Sequence, residues 1–262
     1  MKHGWLFDVP DPRDFDVRSL TKTCKAKTGS ADQTSLRCER GFQRTTASCF
    51  AFAASRGLYQ LLQMEGYTVV PQPSVPWIYD IARQQEQAGK PVEAQQPLVD
   101  VGCYPHLGLK ALKRQGFVSS HDMPFSPDTI NQRPSPAVVV KAYPQRGLTY
   151  YRIWDWGDER VKLGSAAMKR GAMILGMRVC EGFEQHVGEG TIGHVDLDHS
   201  AGHGLTALAI RQDDGALLVD NWWEGWGIQS GPLAGCGWID RRVWTHPMIC
   251  PDVFVLTGAR LQ

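Results

Sequence analysis

The stretch between Thr45 and Gly66 limits the fold more than any other part of the chain. Thr45-Thr46-Ala47-Ser48 offers hydroxyls suited to a helix start, and Cys49-Phe-Ala-Phe-Ala-Ala-Ser-Arg-Gly-Leu-Tyr-Gln-Leu-Leu-Gln-Met-Glu65 then runs on to Gly66, a fitting stop. The first half of this predicted helix is apolar on every face. A surface helix buries one stripe, so a helix apolar all round must pass through the middle of a protein. With 262 residues and 29.2 kDa the chain can surround it. Area scaling leaves ~11,500 Å² exposed against ~42,000 Å² for the extended chain, an ample core.

Around this helix the sequence changes texture once. Residues 1–40 are rich in Pro, Asp, Thr, Ser and Lys and read as an irregular leading segment. Helices are predicted over Trp77–Gln87 and Leu107–Gln115, followed by a proline-rich connector over 124–136. Beyond Gly147 the chain turns β-rich, with strands at Thr149–Ile153, Met173–Val179, Leu205–Ile210, Ala216–Val219 and Val253–Leu256, interrupted by a helix over Lys162–Lys169. Arg211-Gln-Asp-Asp-Gly215 is the best-signalled hairpin turn. Helices first and strands later imply an α+β chain of one domain, 1–262, with a helical lobe over about 41–146 and a β lobe over about 147–262.

Charge excludes several functions. Twenty-eight basic and 27 acidic residues give a net charge of +1, which supplies no electrostatic footing for nucleic acid or an anionic membrane. The one basic cluster, Lys22, Lys25 and Lys27, reads as a solvated loop. No apolar run approaches the ~18 residues of a spanning helix. The start lacks a secretory apolar core because Asp8, Asp11 and Asp14 interrupt it. The expected location is therefore cytoplasmic, or outside the cell by a dedicated export system or packaging in a virion. Seven cysteines fit either free thiols in a reducing compartment or three bridges plus one reactive thiol.

Chemistry concentrates at three places. Cys49 falls at the first turn of the central helix, whose positive end lowers a thiol pKa, and small Ala47 and Ser48 leave room for a substrate. Most cysteines are inert packing residues, so its partners decide. His203 lies between two glycines ahead of a strand, and Asn221 ends another, followed by Trp222, Trp223 and Trp226. A hairpin joining these strands would bring His203 and Asn221 together. Singly, each reads as an ordinary core or turn residue.

Together the three motifs resemble the papain-like cysteine peptidases. Gln43-Arg-Thr-Thr-Ala-Ser-Cys49-Phe-Ala-Phe52 is similar to that family's Gln-Gly-x-Cys-Gly-Ser-Cys-Trp-Ala-Phe. Gly202-His203-Gly-Leu-Thr-Ala-Leu-Ala resembles its Gly-His-Ala-Val-x-Ala-Val, and Asn221-Trp-Trp223-Glu-Gly-Trp-Gly227 its Asn-Ser-Trp-Gly-x-x-Trp-Gly, one residue shorter. Pro10-Asp-Pro-Arg-Asp-Phe15, Pro76–Arg83 and Gly235–Trp244 extend the likeness over most of the chain, toward bacterial or phage-type members without a long propeptide. The departures are Arg44 for Gly, Thr46 for Cys, Phe50 for Trp and Gly204 for Ala.

The resemblance implies a two-lobed fold, with the nucleophile helix in a helical lobe and an antiparallel, barrel-like β lobe. It implies peptide-bond hydrolysis through a thioester, with Cys49 as nucleophile and His203 as its base and later acid. Asn221 would orient His203, Trp223 would shield their bond, and Gln43 with the Cys49 N–H would form the oxyanion hole. Ser48 and Trp223 would touch the substrate, a peptide or protein. A thiol–imidazole ion pair is expected at neutral pH. No cofactor or metal is implied.

Two rival readings keep the same fold: a thiol amidase or acyltransferase, and a non-catalytic assembly component with a protein partner. Gly188-Glu-Gly-Thr-Ile-Gly193 spells a dinucleotide motif but lacks the strand–helix context it needs. His194, Asp196, Asp198, His199 and His203 place five ligand types close together, but Gly202 and Gly204 argue against a helix that would align them, and a solvated loop is the stronger reading.

Overall fold

From Cys49 to Leu58 every residue of the central helix is buried, as an all-round apolar surface requires. The computed structural model describes residues 3–8, 11, 14–22, 31–88, 90–91, 95, 97–143, 147–198 and 201–261. Cys24, Lys25, Lys27, His199 and part of the Pro10–Phe15 motif lie outside the described residues, as does the Lys22 side chain.

Within the leading segment a short helix, α1 (Val17–Lys22), precedes the central helix, α2 (Cys49–Met64). Next come α3 (Val75–Gln87), whose N-cap Ser74 accepts from Trp77 N, and α4 (Pro105–Gln115), ended by Gly116 at φ 70°. Proline in the first turn of both supplies the helical φ where no amide partner is needed. These helices, with α5 (Pro136–Val139), close one apolar cluster around Phe50, Leu58, Trp77 and Leu112.

The second half is a seven-stranded sheet: β1 (Thr149–Arg152), β2 (Ala172–Val179), β3 (Thr191–Ile192), β4 (Ala201–Ile210), β5 (Leu217–Asp220), β6 (Cys236–Ile239) and β7 (Asp252–Thr257). Their spatial order is β1-β7-β2-β4-β5-β6-β3, antiparallel except for β3 beside β6. Helices α6 (Gly157–Met168), α7 (Glu181–Glu184) and α8 (Arg241–Trp244) complete the fold, and the sheet's own cluster centres on Met173, Leu205, Val219 and Trp244. The mixed α+β architecture matches the sequence reading.

Two element starts moved by four residues or more, and several others by one or two. Helix α6 starts at Gly157, because Asp158 and Glu159 favour its N-terminal turn and buried Arg160 ties it to the Asp155, Trp244 and Cys250 carbonyls. Strand β4 starts at Ala201 and contains His203, since Ala201–Gly204 pair with Gly176–Val179 of β2. Pairing across the ladder outweighs the poor strand propensity of glycine. Among the described residues no helix is long and apolar enough to cross a membrane.

Candidate active site

Cys49 is the first residue of α2, at the positive end of the helix. The loop before it is held from three sides. Thr46 Oγ1 donates to the Gln43 carbonyl at 2.8 Å, so Ser48 must be the donor of its own 2.6 Å bond to Thr46 Oγ1. Ala47 N donates to Asp100 Oδ1 at 2.8 Å, and Gln43 N donates to the Trp222 carbonyl at 2.9 Å. This last bond links the Gln43 loop to the segment that follows Asn221. Gln43 is fully buried and its carboxamide nitrogen donates to the Thr46 carbonyl. Ser48 is equally buried, its hydroxyl directed into the loop.

Strand register brings the other two residues together. Thr206 of β4 pairs with Asp220 of β5, so extending the ladder sets Asn221 opposite Leu205 and makes His203 its diagonal neighbour. His203 Nε2 lies 2.9 Å from Asn221 Oδ1. The amide oxygen accepts, so Nε2 carries the proton and Nδ1 keeps a lone pair; that Nδ1 is buried with no hydrogen-bond partner. Asn221 Oδ1 also accepts from Trp222 N at 2.7 Å, and Trp222 Nε1 donates to the Gly204 carbonyl at 2.9 Å. Trp223 stacks on His203 with centroids 4.1 Å apart and planes at 28°, covering the His203–Asn221 bond.

The residue after His203 reaches Cys49 itself. The Gly204 N–H favours the thiolate form of Cys49, and a Cβ on Gly204 would lie 3.1 Å from the Cys49 carbonyl carbon. Thr206 Oγ1 donates to the Ala53 carbonyl at 3.1 Å, fixing β4 along α2. Arg44, in the family's glycine position, keeps a left-handed φ of 56°. Its guanidinium pairs with Glu224 and lies 5.3 Å from the centre of the Phe42 ring.

The cleft above these groups is filled by the chain's own residues His3–Leu6. Trp5 N donates to the Gly202 carbonyl at 3.2 Å, Cys103 N to the Gly4 carbonyl at 3.0 Å, and Leu6 N to the Cys103 carbonyl at 3.2 Å. His3 stands edge-on to His203 and Trp223, and its Nε2 lies 2.7 Å from Glu184. Gly4 passes where only glycine fits: a Cβ there would lie 1.6 Å from the Ala47 carbonyl oxygen. Its N–H favours the thiolate form of Cys49.

Trp5 anchors the strap. The indole lies against Gly176 and Gly204, where Cβ atoms would approach it to 1.9 and 2.5 Å, and edge-on to Phe50 at 5.8 Å. Its Nε1 donates to Asp252 Oδ2 at 2.9 Å, and Asp8 N donates to the same oxygen at 3.2 Å. Arg152 holds Asp252 Oδ1 and lies 3.9 Å from Asp8 and 3.6 Å from Asp14. Burial raises the Asp252 carboxyl to about 6 even beside Arg152.

The strap sets the ionisation state. Burial pushes the Cys49 thiol up to about 11, although the N–H groups of Gly204, Gly4 and Phe50 pull it down. Burial drives His203 down to about 3, opposed by Asn221 and reinforced by His3. The closed site therefore holds a neutral thiol and a neutral imidazole, in place of the ion pair expected from sequence. Both side chains are fully buried.

The sequence reading missed His3–Leu6, absorbed into an irregular leading segment. Two signals were present: Gly176 inside an apolar strand, and Gly204 where the family has Ala. Among the described residues the six cysteines 38, 49, 103, 180, 236 and 250 are free thiols, and no group of three or more His, Cys, Asp or Glu is placed to hold a metal.

No family model matches the chain, and no curated protein sequence matches it either. Solved structures do. Xylellain, a cysteine protease from Xylella fastidiosa, superposes with a TM-score of 0.75 at 16% identity, over 98% of this chain and 96% of that one. ProCathepsin B S9 from Trypanosoma congolense gives 0.73 at 14% identity, over 99% and 87%. The bromelain protease from Ananas comosus, in complex with the E64 inhibitor, gives 0.62 at 15%, over 94% and 99%. The chain has the papain-like peptidase fold.

Proposed function

We propose that this chain is a cysteine peptidase, latent in the closed form described above, that hydrolyses peptide bonds of a peptide or protein through a thioester on Cys49. The observation that carries the reading is the His203–Asn221 pair at 2.9 Å, which leaves Nδ1 as the nitrogen able to accept a proton. Its structural neighbours are cysteine proteases, which supports the same reading.

With the strap withdrawn, His203 Nδ1 takes the thiol proton and the Cys49 sulfur attacks the scissile carbonyl carbon. The carbonyl electrons move to oxygen, where the Cys49 N–H at the helix start and the Gln43 carboxamide are the donors. The tetrahedral adduct collapses, the C–N bond breaks, and His203 returns its proton to the departing amine. Water, deprotonated by His203, then hydrolyses the thioester. Asn221 and Trp223 hold the ring through both steps; losing one oxyanion donor typically costs ~2.7–4 kcal/mol of transition-state stabilisation.

Labelling with an epoxide-type thiol-peptidase inhibitor, read by peptide mass spectrometry, tests this. The expected result is a single adduct on Cys49, slow in the wild type, fast in Trp5→Ala and absent in Trp5→Ala/His203→Ala. Labelling spread over several cysteines, or none on Cys49 in folded Trp5→Ala, would refute it.

A further inference from the structure

The segment Val99–Cys103 borders the cleft, yet Val99 and Val101 are 54% and 61% exposed and give it little packing. Polar bonds hold it instead, in one unbroken chain that ends at the nucleophile loop. Gly102 N donates to the Tyr79 hydroxyl at 2.9 Å, that hydroxyl donates to Asp100 Oδ1 at 3.0 Å, and Ala47 N donates to the same carboxylate oxygen at 2.8 Å. The direction of each bond is forced. A backbone N–H only donates and a carboxylate only accepts, so the one phenol hydrogen must point at Asp100. Burial holds this phenol well above its ordinary range, so the proton stays in place. Tyr79 is itself fixed: it is fully buried on α3, and the Arg83 guanidinium lies 3.8 Å from its ring centre while donating to the Val99 carbonyl at 3.0 Å. Both ends of the chain of bonds border the cleft. Ala47 stands two residues before Cys49. Cys103 pairs with Gly4 and Leu6 through both of its backbone groups, and a Cβ on Gly102 would lie 2.2 Å from the Gly4 carbonyl oxygen.

We propose that Tyr79 and Asp100 are positioning residues for peptide cleavage: together they set the separation between the backbone edge at Gly102–Cys103 and the loop that carries Cys49. The proposal rests on the peptidase reading and deepens it. Both residues act through the backbone they hold and not on the reacting atoms. A peptide that replaces the strap meets the same Cys103 N–H and C=O, and its scissile carbonyl must reach the sulfur in the same pose. A misplacement of ~1 Å in such a pose costs ~100-fold in rate. Ala47 and Asp100 lie 53 residues apart, and Asp100 Oδ1 belongs to one of the two loops while accepting from the other. Removing the Tyr79 hydroxyl leaves the buried Gly102 N–H without its acceptor, and the exposed valines offer no packing to keep the edge in place. An unsatisfied buried donor weakens what depends on it by ~5- to 100-fold.

Two alkylating probes test this on the full-length chain with the strap opened by Trp5→Ala, or by Gly4→Ala if that variant does not fold. Iodoacetamide has no backbone to pair with Cys103, whereas an N-acetyl dipeptidyl chloromethyl ketone does. Adding Tyr79→Phe or Asp100→Ala should lower the ratio of the dipeptidyl-probe rate to the iodoacetamide rate at Cys49 by about tenfold. Each substitution breaks the same chain of bonds, so the double variant should fall no further than the worse single one. A merely structural role would move both rates together and leave the ratio unchanged, and continued protection of Cys236 and Cys250 reports an intact fold. An unchanged ratio in a folded variant, or additive losses in the double variant, would overturn the proposal. Asp100→Ala, at a half-buried position, decides alone if Tyr79→Phe does not fold. Fluorogenic peptides separate this from the parent reading. A ratio that falls as stated with no hydrolysis by the open chain overturns the peptidase and leaves a clamp that holds peptides against Cys49; hydrolysis with kcat and KM unchanged by Tyr79→Phe does the reverse.

Discussion

Removing the Trp5 side chain should expose Cys49 without unfolding the protein, and the structure sets the size of the effect. The indole is 2% exposed and donates to Asp252 at 2.9 Å. Truncating such a residue to alanine costs ~3–5 kcal/mol. The rest of the strap is held by three backbone hydrogen bonds of 3.0–3.2 Å, each worth ~1 kcal/mol net, and by the half-buried His3–Glu184 contact at 2.7 Å, against ~1–2 kcal/mol per residue of backbone ordering. Without the indole those terms no longer favour closure. At ~1.4 kcal/mol per factor of ten, the opening equilibrium in Trp5→Ala should rise by roughly a hundred- to several-thousandfold, capped once the strap is mostly open. The assay is the iodoacetamide rate at each thiol, followed by peptide mass spectrometry under native conditions. Cys236 and Cys250 are fully buried away from the cleft and report global unfolding. Cys49 should accelerate while these two stay protected. An unchanged Cys49 rate, or all three rising in step, would refute the strap as a separately opening element.

Other perturbations test the surrounding structure. Gly4→Ala would place its Cβ 1.6 Å from the Ala47 carbonyl oxygen and should open the strap nearly as well as Trp5→Ala, by the same thiol assay. The pH response has two opposed parts. His203, lowered by burial to about 3 in the fold against ~6.5 free, contributes stability above pH ~6.5 that is lost as pH falls toward 3, because the unfolded chain takes up the proton. Asp252, raised by burial to about 6 against ~3.9 free, contributes stability below pH ~4 that is lost as pH rises through 6. Urea midpoints between pH 4 and 6 should therefore show His203→Gln gaining stability relative to wild type as pH falls, at up to ~1.4 kcal/mol per unit, and Asp252→Asn losing it. Asp220 is buried, 2.8 Å from Arg37 and 4.0 Å from Arg56, so Asp220→Ala strands two guanidiniums and should cost ~3–5 kcal/mol in chemical denaturation. Arg44→Gly removes the strain of a left-handed φ, ~1–2 kcal/mol, and loses only an exposed ion pair; its melting temperature should equal or exceed that of wild type.

What was legible in the sequence, and what was not, follows from the range of the interactions concerned. The central helix announces itself locally, because the run Cys49–Ala54 is apolar on every face, a pattern that a single window detects. His203 and Asn221 were legible through one further step, a hairpin whose register is set by a short turn, and they meet although 18 residues apart. Trp5 meets Asp252 across 247 residues of chain, with no periodicity in the leading segment to signal it. The protonation states were illegible for the same reason. Burial favours the neutral thiol and imidazole, and residues from the far N-terminal end contribute to that burial, so no motif around Cys49 or His203 alone could encode the result. Yet the missed strap had left its imprint on the distant strands it touches. Gly176 and Gly204 are poor strand formers held directly opposite each other in the middle of a sheet, which makes sense only if something presses on that face. An aromatic side chain was the missing object, and the strap supplies it.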